Sequence, residues 1–169
     1  MLLTSFAPVL APQTRVVILG SMPGHLSLKR DQYYAHPQNR FWPIMHELFG
    51  IGLELSYAKR LELLTQAGVG LWDVLKHCER EGSLDSSIVG RTEVPNDFRL
   101  LFDRCPAVRA LFFNGQKAEQ AFRRHVIPSL PAPIVDRLHL ITLPSTSPAN
   151  TTRTKKAKVE EWKAIWRFT

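Results

Sequence analysis

Two segments of this chain carry residues whose types and spacing could do chemistry. Gly20 to Trp42 reads GSMPGHLSLKRDQYYAHPQNRFW. Gly20 and Gly24 would let the backbone pass close to a ligand, because a residue without Cβ leaves room for another group. The same G-x-x-P-G spacing also suits a plain tight turn. No G-K-[ST] follows, so this is not a phosphate-cradling loop of the Walker type. Leu143 to Asn150 reads LPSTSPAN, small and hydroxyl-rich, and Arg153, Lys155, Lys156 and Lys158 follow directly. Hydroxyls and backbone amides backed by basic side chains are what contact with phosphate oxygens requires. A solvated turn before a charged first helical turn fits the same residues equally well.

What the chain lacks narrows the chemistry further. Its two cysteines, Cys78 and Cys105, form no C-x-x-C pair, and its six histidines show no H-x-x-x-H or other ligand spacing. Neither structural zinc nor a four-cysteine iron–sulfur cluster is expected, so no cofactor is implied and ordinary side chains must do the work. Lys and Arg number 22 against 15 Asp and Glu, a net charge of +7. That excess suits a polyanionic partner, although many basic proteins never touch nucleic acid. No run of eighteen apolar residues exists, which argues against a membrane partner. Met1 to Pro12 has neither a basic start nor a cleavage site, so the expected location is the cytoplasm.

The elements that must position these segments follow from hydrophobic patterning. A length of 169 residues suits one core, and the expected organisation is a single domain over 1–169. Four nearly continuous apolar runs, Val16 to Leu19, Val69 to Leu75, Val108 to Phe113 and Leu138 to Leu143, read as strands buried on both faces. Helical spacing is expected over Trp42 to Phe49, Tyr57 to Ala67, Asn96 to Arg104, Gln116 to Val126 and Lys155 to Phe168. Ser56 suits the N-cap of the second of these, and Gly50 and Gly68 suit helix stops. Such alternation predicts a parallel sheet with helices on both faces. Gly20 to Arg40, Lys76 to Pro95 and Pro144 to Thr154 show no clear helix or strand character. Ligands bind beyond the carboxyl ends of parallel strands, so the site should lie among these stretches.

Taken together, GSMPG after the first strand, AHPQNRFW, GLWDVL in the second strand, FFNGQKA at the third and LPSTSPAN at the fourth resemble the uracil-DNA glycosylase superfamily. The AHPxNRFW segment resembles its mismatch-specific enzymes. The full set is most similar to the hypoxanthine-DNA (deoxyinosine) glycosylases, usually counted as family six. The resemblance spans Arg15 to the C-terminal helix. It implies a three-layer α/β/α fold with a four-stranded parallel sheet in the order 2-1-3-4. It also implies a monofunctional enzyme of base excision repair that hydrolyses the N-glycosidic bond of a flipped, deaminated base. Hypoxanthine is the first expectation; uracil, a mismatched base, or a catalytically silent damage-binding domain are the alternatives. The implied partner is double-stranded DNA, with single-stranded DNA as a further substrate, and the chain would act as a monomer.

The resemblance also implies roles. Related enzymes carry a water-activating Asp or Asn where this chain has Met22, which cannot orient water. The water then falls to Asn39, whose amide carbonyl can hold a water in line beneath the sugar carbon. Bond cleavage passes through an oxocarbenium-like state that needs little push from the nucleophile. The departing base needs aimed donors instead, and Asn114 can supply one from its amide, unless it merely forms a turn with Gly115. Tyr34 stands where relatives carry an aromatic that stacks on the flipped base, with Tyr33 as the fallback. Phe41, Trp42 and Trp72 are expected to be packing. Asp73 stands where the uracil enzymes carry a base-reading Asn. As a carboxylate it would accept the N1–H of hypoxanthine; alternatively it is protonated, points away, or ties down the loop Ser83 to Ile88. Gly20, Ser21 and Met22 complete the expected base pocket. DNA contact is expected from Ser145, Thr146, Ser147, Pro148, Ala149, Asn150, Arg153, Lys155 and Lys156. No large wedge residue is evident in the LPSTSPAN loop, so opening the stack is expected to fall to Ser147, Pro148 and Ala149, with Asn150 as a further candidate.

Overall fold

The run Val16–Gly20 forms strand β2, buried at every position, in the computed structural model, which describes residues 1–169. Its β-branched residues fit a pleated surface, and its unbroken apolarity fits a strand covered on both sides. On one edge β2 pairs in parallel with β3 (Val69–Asp73), on the other with β6 (Ala110–Asn114). β7 (His139–Leu143) adds to β6, also in parallel. The spatial order β3-β2-β6-β7 is the 2-1-3-4 arrangement that the resemblance implied.

Alternate side chains of these strands build two cores. Val17, Leu19, Leu111 and Phe113 pack on one face against α4 (Phe98–Arg104) and α5 (Gln116–Ala121). Val16, Ile18, Val69, Leu71 and Phe112 pack on the other against α2 (Phe41–Phe49), α3 (Tyr57–Gln66) and α7 (Lys155–Trp162). The result is the expected three layers. Ser56 caps α3 by accepting from Lys59 N at 3.2 Å, and Gly50 ends α2 at a left-handed φ of 67°.

Several expectations yield to the structure. The Val69 to Leu75 run divides after Asp73, and Leu75–Glu79 becomes β4 of a separate antiparallel sheet with β1 (Leu2–Thr4) and β5 (Val94–Pro95). The charged residues of β4 and its lack of a regular alternation hide it in a stretch that looks irregular. β7 is not buried on both faces, since only Leu143 among its five residues is buried; it is one of the two edges of the sheet. Two short helices, α1 (His25–Arg30) and α6 (Ala132–Arg137), occupy segments with no clear period. The Gln116 to Val126 helix is α-helical only to Ala121 and then widens into a π turn over Phe122–Val126. The final helix tightens to 3-10 geometry over Lys163–Arg167. Buried Glu93 joins Lys117 and His125, which fastens the segment before β5 to α5 and the π turn. No helix is long and apolar enough to cross a membrane.

Candidate active site

Gly20, Asp73, Asn114 and Leu143 end the four parallel strands, and a cavity of about 710 Å³ opens directly beyond them. Its wall includes Gly20, Ser21, Met22, Tyr34, Asn39, Asp73, Asn114 and the loop from Ser145 to Thr152. Residues scattered over the whole sequence thus meet in one place.

Gly20 and Asp73 are partners in the β2–β3 register. A methyl group on Gly20 would lie 2.5 Å from Asp73 Oδ1 and 3.6 Å from Tyr34 Oη. The bare Cα is therefore what lets the Asp73 carboxyl fold over the strand end. Asp73 is buried, and its Oδ2 has no hydrogen-bond partner. Burial, followed by the nearby Asp85 charge, pushes its carboxyl up to about 7, against the pull of Arg80. Leaving a buried polar atom unpaired is costly, and such an atom in a cavity wall suits a ligand that completes it.

Asp73 does not tie down the Ser83 to Ile88 loop. Ser21 Oγ donates to Asp85 Oδ1 at 2.5 Å, and His25 N donates to Ser83 Oγ at 2.8 Å. Burial also pushes the Asp85 carboxyl up, against the Ser21 hydrogen bond and the Arg80 charge. Arg80, itself buried, donates to Pro23 O at 2.7 Å and Gly82 O at 2.9 Å, joining the GSMPG turn to the loop across the mouth. Sequence reasoning missed both Arg80 and Asp85, because a lone Arg in a charged run gives no sign of a carbonyl 57 residues away. Met22 packs into the core with Leu19 and Trp72, and forms an apolar part of the wall.

Tyr34 adopts a left-handed backbone conformation, φ 57°, which is uncommon for a bulky residue and orients its ring. That ring stacks on Phe41, centroids 4.0 Å apart and 23° from parallel. The Tyr34 hydroxyl is buried, and burial, then the Asp73 charge, holds its pKa above the usual phenol range against the pull of the Asn114 amide, so it stays a neutral donor. Tyr33 is no substitute, since it is buried, donates to Ala7 O at 2.9 Å and packs edge-on against Phe6. Phe41, Trp42 and Trp72 are buried packing, as anticipated.

Asn39 stands half-buried at the wall, and its Oδ1 accepts Phe41 N–H at 2.9 Å. It therefore starts α2, and its carbonyl keeps a second lone pair for another donor. Asn114 is buried and grips Thr146 twice. Its Oδ1 accepts Thr146 N–H at 2.9 Å, and its Nδ2 donates to Thr146 Oγ1 at 2.9 Å. This is not a local Asn-Gly turn but a clamp between β6 and the loop, with one amide hydrogen left over.

The clamp changes the reading of that loop. Thr146 is fully buried, its hydroxyl and N–H taken by Asn114 and its carbonyl by Arg40 N at 3.0 Å. It supports the loop from beneath and presents nothing to phosphate. Ser145 and Ser147 accept from Ser147 N and Ala149 N, and Pro148 and Ala149 stand exposed. Lys158 is buried and donates to Asn150 O at 3.0 Å, and burial beside Arg40 and Arg153 pushes its ammonium down. Arg153 pairs with Glu161 at 2.6 Å, while Lys155 and Lys156 are exposed in the first turn of α7, capped by Thr154. Exposed Arg40, whose own N–H anchors the loop, joins this basic rim and is a further residue that sequence reasoning passed over.

The family model described as the uracil DNA glycosylase superfamily matches residues 7–168. The chain is 38% identical over 170 residues to a hypoxanthine DNA glycosylase of Methanosarcina acetivorans, covering 99% of each chain. It is 41% identical over 114 residues to a hypoxanthine DNA glycosylase of Methanosarcina barkeri, covering 67% of this chain and 71% of that one. A solution NMR structure of a Methanosarcina acetivorans protein, provisionally assigned as a uracil DNA glycosylase, has 35% identity and a TM-score of 0.78, covering 99% of this chain and 98% of its own.

Proposed function

This chain belongs to the uracil DNA glycosylase superfamily, and from that premise we propose that it excises hypoxanthine from DNA by hydrolysis of the N-glycosidic bond. The choice of hypoxanthine rests on the two relatives that carry that name, and the buried Asp73 carboxyl, with an unpartnered oxygen at the wall of the cavity, supports a base with a lactam edge, which uracil shares. In its neutral form a carboxyl offers an acceptor and a donor side by side. The acceptor takes the N1–H of hypoxanthine and the O–H donates to O6, so the lactam edge is met without a charge opposing the leaving base.

The base leaves the stack and lies on the face of Tyr34 not covered by Phe41. Asn39 holds a water through the free lone pair of its carbonyl, below C1′ of the sugar. The bond from C1′ to N9 breaks, its electron pair stays on the base, and the water oxygen bonds to C1′. Asn39 cannot take a proton, so the attacking water loses its proton to solvent after cleavage has begun. The Asp73 O–H and the spare Asn114 N–H meet the charge growing on the base. Arg40, Lys155, Lys156 and the exposed turn at Pro148 and Ala149 face the phosphates of the lesion strand.

Duplex DNA is the proposed substrate, and a single chain contributes every group named. A panel of duplexes, each with one hypoxanthine, uracil, mismatched or undamaged base, tests the reading after alkaline cleavage and gel separation. Fastest product from the hypoxanthine duplex supports it. Faster product from uracil would reassign the lesion, and binding without product would leave a damage-binding domain.

A further inference from the structure

Once a base has left the duplex, the gap behind it favours its return, and proteins that distort DNA fill such gaps with apolar side chains. The turn at Pro148 and Ala149 offers only small groups on its side of the mouth. The large apolar side chains exposed on this molecule are Met1, Leu2, Leu53, Leu84, Val94, Leu100 and Trp166, and of these only Leu84 lines the cavity. We propose that Leu84, on a second loop that lines the same cavity as Pro148 and Ala149, is the wedge that enters the base stack when the lesion is flipped. This rests on the glycosylase reading above and adds to it the residue that holds the duplex open.

A single exposed leucine is ordinary on a protein surface. Leu84 differs in how it is held. Its neighbours on both sides are anchored, Ser83 by the N–H of His25 at 2.8 Å and Asp85 by the hydroxyl of Ser21 at 2.5 Å. Its own carbonyl accepts Ser87 N–H at 3.0 Å, closing a short turn behind it. Arg80 fixes the base of the same loop through Gly82 and Pro23. The side chain is thus left 53% exposed on a backbone tied into the wall of the pocket. A loop already ordered loses little freedom when it meets DNA, so the gain from burying the leucine is retained. Ser21, which anchors the loop, also lines the cavity, so the wedge and the pocket share one support.

The test compares the wild-type chain with Leu84→Ala and Leu84→Met on hypoxanthine in duplex and in single-stranded DNA, under single turnover. 2-Aminopurine placed beside the lesion reports unstacking in the duplex. Leu84→Ala should slow duplex excision by roughly tenfold to hundredfold, the equilibrium value of burying one leucine side chain. The single-strand rate should fall far less, because no stack has to be held open. The 2-aminopurine signal should fall with the duplex rate, and Leu84→Met should restore most of both. Equal losses on the two substrates, or no loss on the duplex, would overturn the assignment. No excision by the wild-type chain from either substrate would instead refute the enzymatic reading, and Leu84 would lose its role with it.

Discussion

Asn39 shows how one side chain can hold two tasks, and how to separate them. Its Oδ1 accepts Phe41 N–H at the start of α2, one residue before the N-cap Arg40, while the residue lines the cavity. Asn39→Ala removes both, costing about 0.5–1.5 kcal/mol of stability for the hydrogen bond and on the order of 10²–10⁴ in excision rate for the positioned water. Asn39→Asp keeps an acceptor for Phe41 N–H and a water ligand, so it should retain stability and substantial activity. Thermal melts and single-turnover rates of the two variants check this; equal rates for Asn39→Ala and wild type would remove Asn39 from the chemistry. Asp73 supplies a pH signature. Unfolded, its carboxyl ionises near the ordinary 3.8; folded, burial raises it to about 7. Between those values the folded chain holds the extra proton, so Asp73 lowers stability as pH rises from about 4 to 7, with the loss complete above 7. Asp73→Asn should remove that slope and raise the melting temperature at pH 8 by at least about 2–4 °C, the worth of one kcal/mol in a chain of this size. Excision by the wild type should fall as pH climbs through about 7, and the variant should show no such fall. A wild-type rate that increases through that range would contradict a neutral Asp73.

At the scale of elements, the three fully buried strands are legible in the sequence and their surroundings are not. β2, β3 and β6 are unbroken apolar runs because both faces are covered, and the pattern records that burial directly. β4 shows no period of two, because its pairing with β5 is irregular between Leu75 and His77, and its charges Lys76 and Glu79 disguise it as a loop. The motif residues could be placed through resemblance, while Arg80, Asp85 and Arg40 could not be found by spacing, since their partners come from distant parts of the chain. Thr146 was misjudged for the same reason: nothing local in PSTSP says that Asn114 will bury it. The first turn of α7 gives the element its own test. Lys155 and Lys156 are exposed and lie outside both cores. Changing both to Ala should weaken binding to lesion and undamaged duplex alike, and reduce the salt slope by about one to two, since each phosphate contact contributes roughly 0.9. Lys158→Ala should behave differently, lowering thermal stability because it frees the carbonyl of Asn150 and leaves a gap beneath the loop. An unchanged salt slope in the double variant would return the turn to an ordinary charged surface.

For the molecule as a whole, the sheet acts as a frame that delivers four strand ends to one cavity. Ser21 and Arg80 fasten the turn from Gly20 to the loop around Leu84, and Asn114 fastens the loop from Leu143 to the end of β6. A charge of +7, with basic residues along the Asn150 to Lys158 rim, suits approach to a polyanion. The frame and the charge were both readable in the sequence; the cross-loop fastenings were not, because they exist only after folding.

The central claim is that this chain breaks the N-glycosidic bond of hypoxanthine with water alone. Its most direct test is to incubate excess protein with a duplex carrying one deoxyinosine, with and without borohydride, and measure the free base. Stoichiometric release of hypoxanthine, an abasic strand cut only by later alkali, and no trapped protein–DNA adduct are the result expected, with release lost in Asn39→Ala. Tight binding with no free base, or a borohydride-trapped adduct, would contradict it.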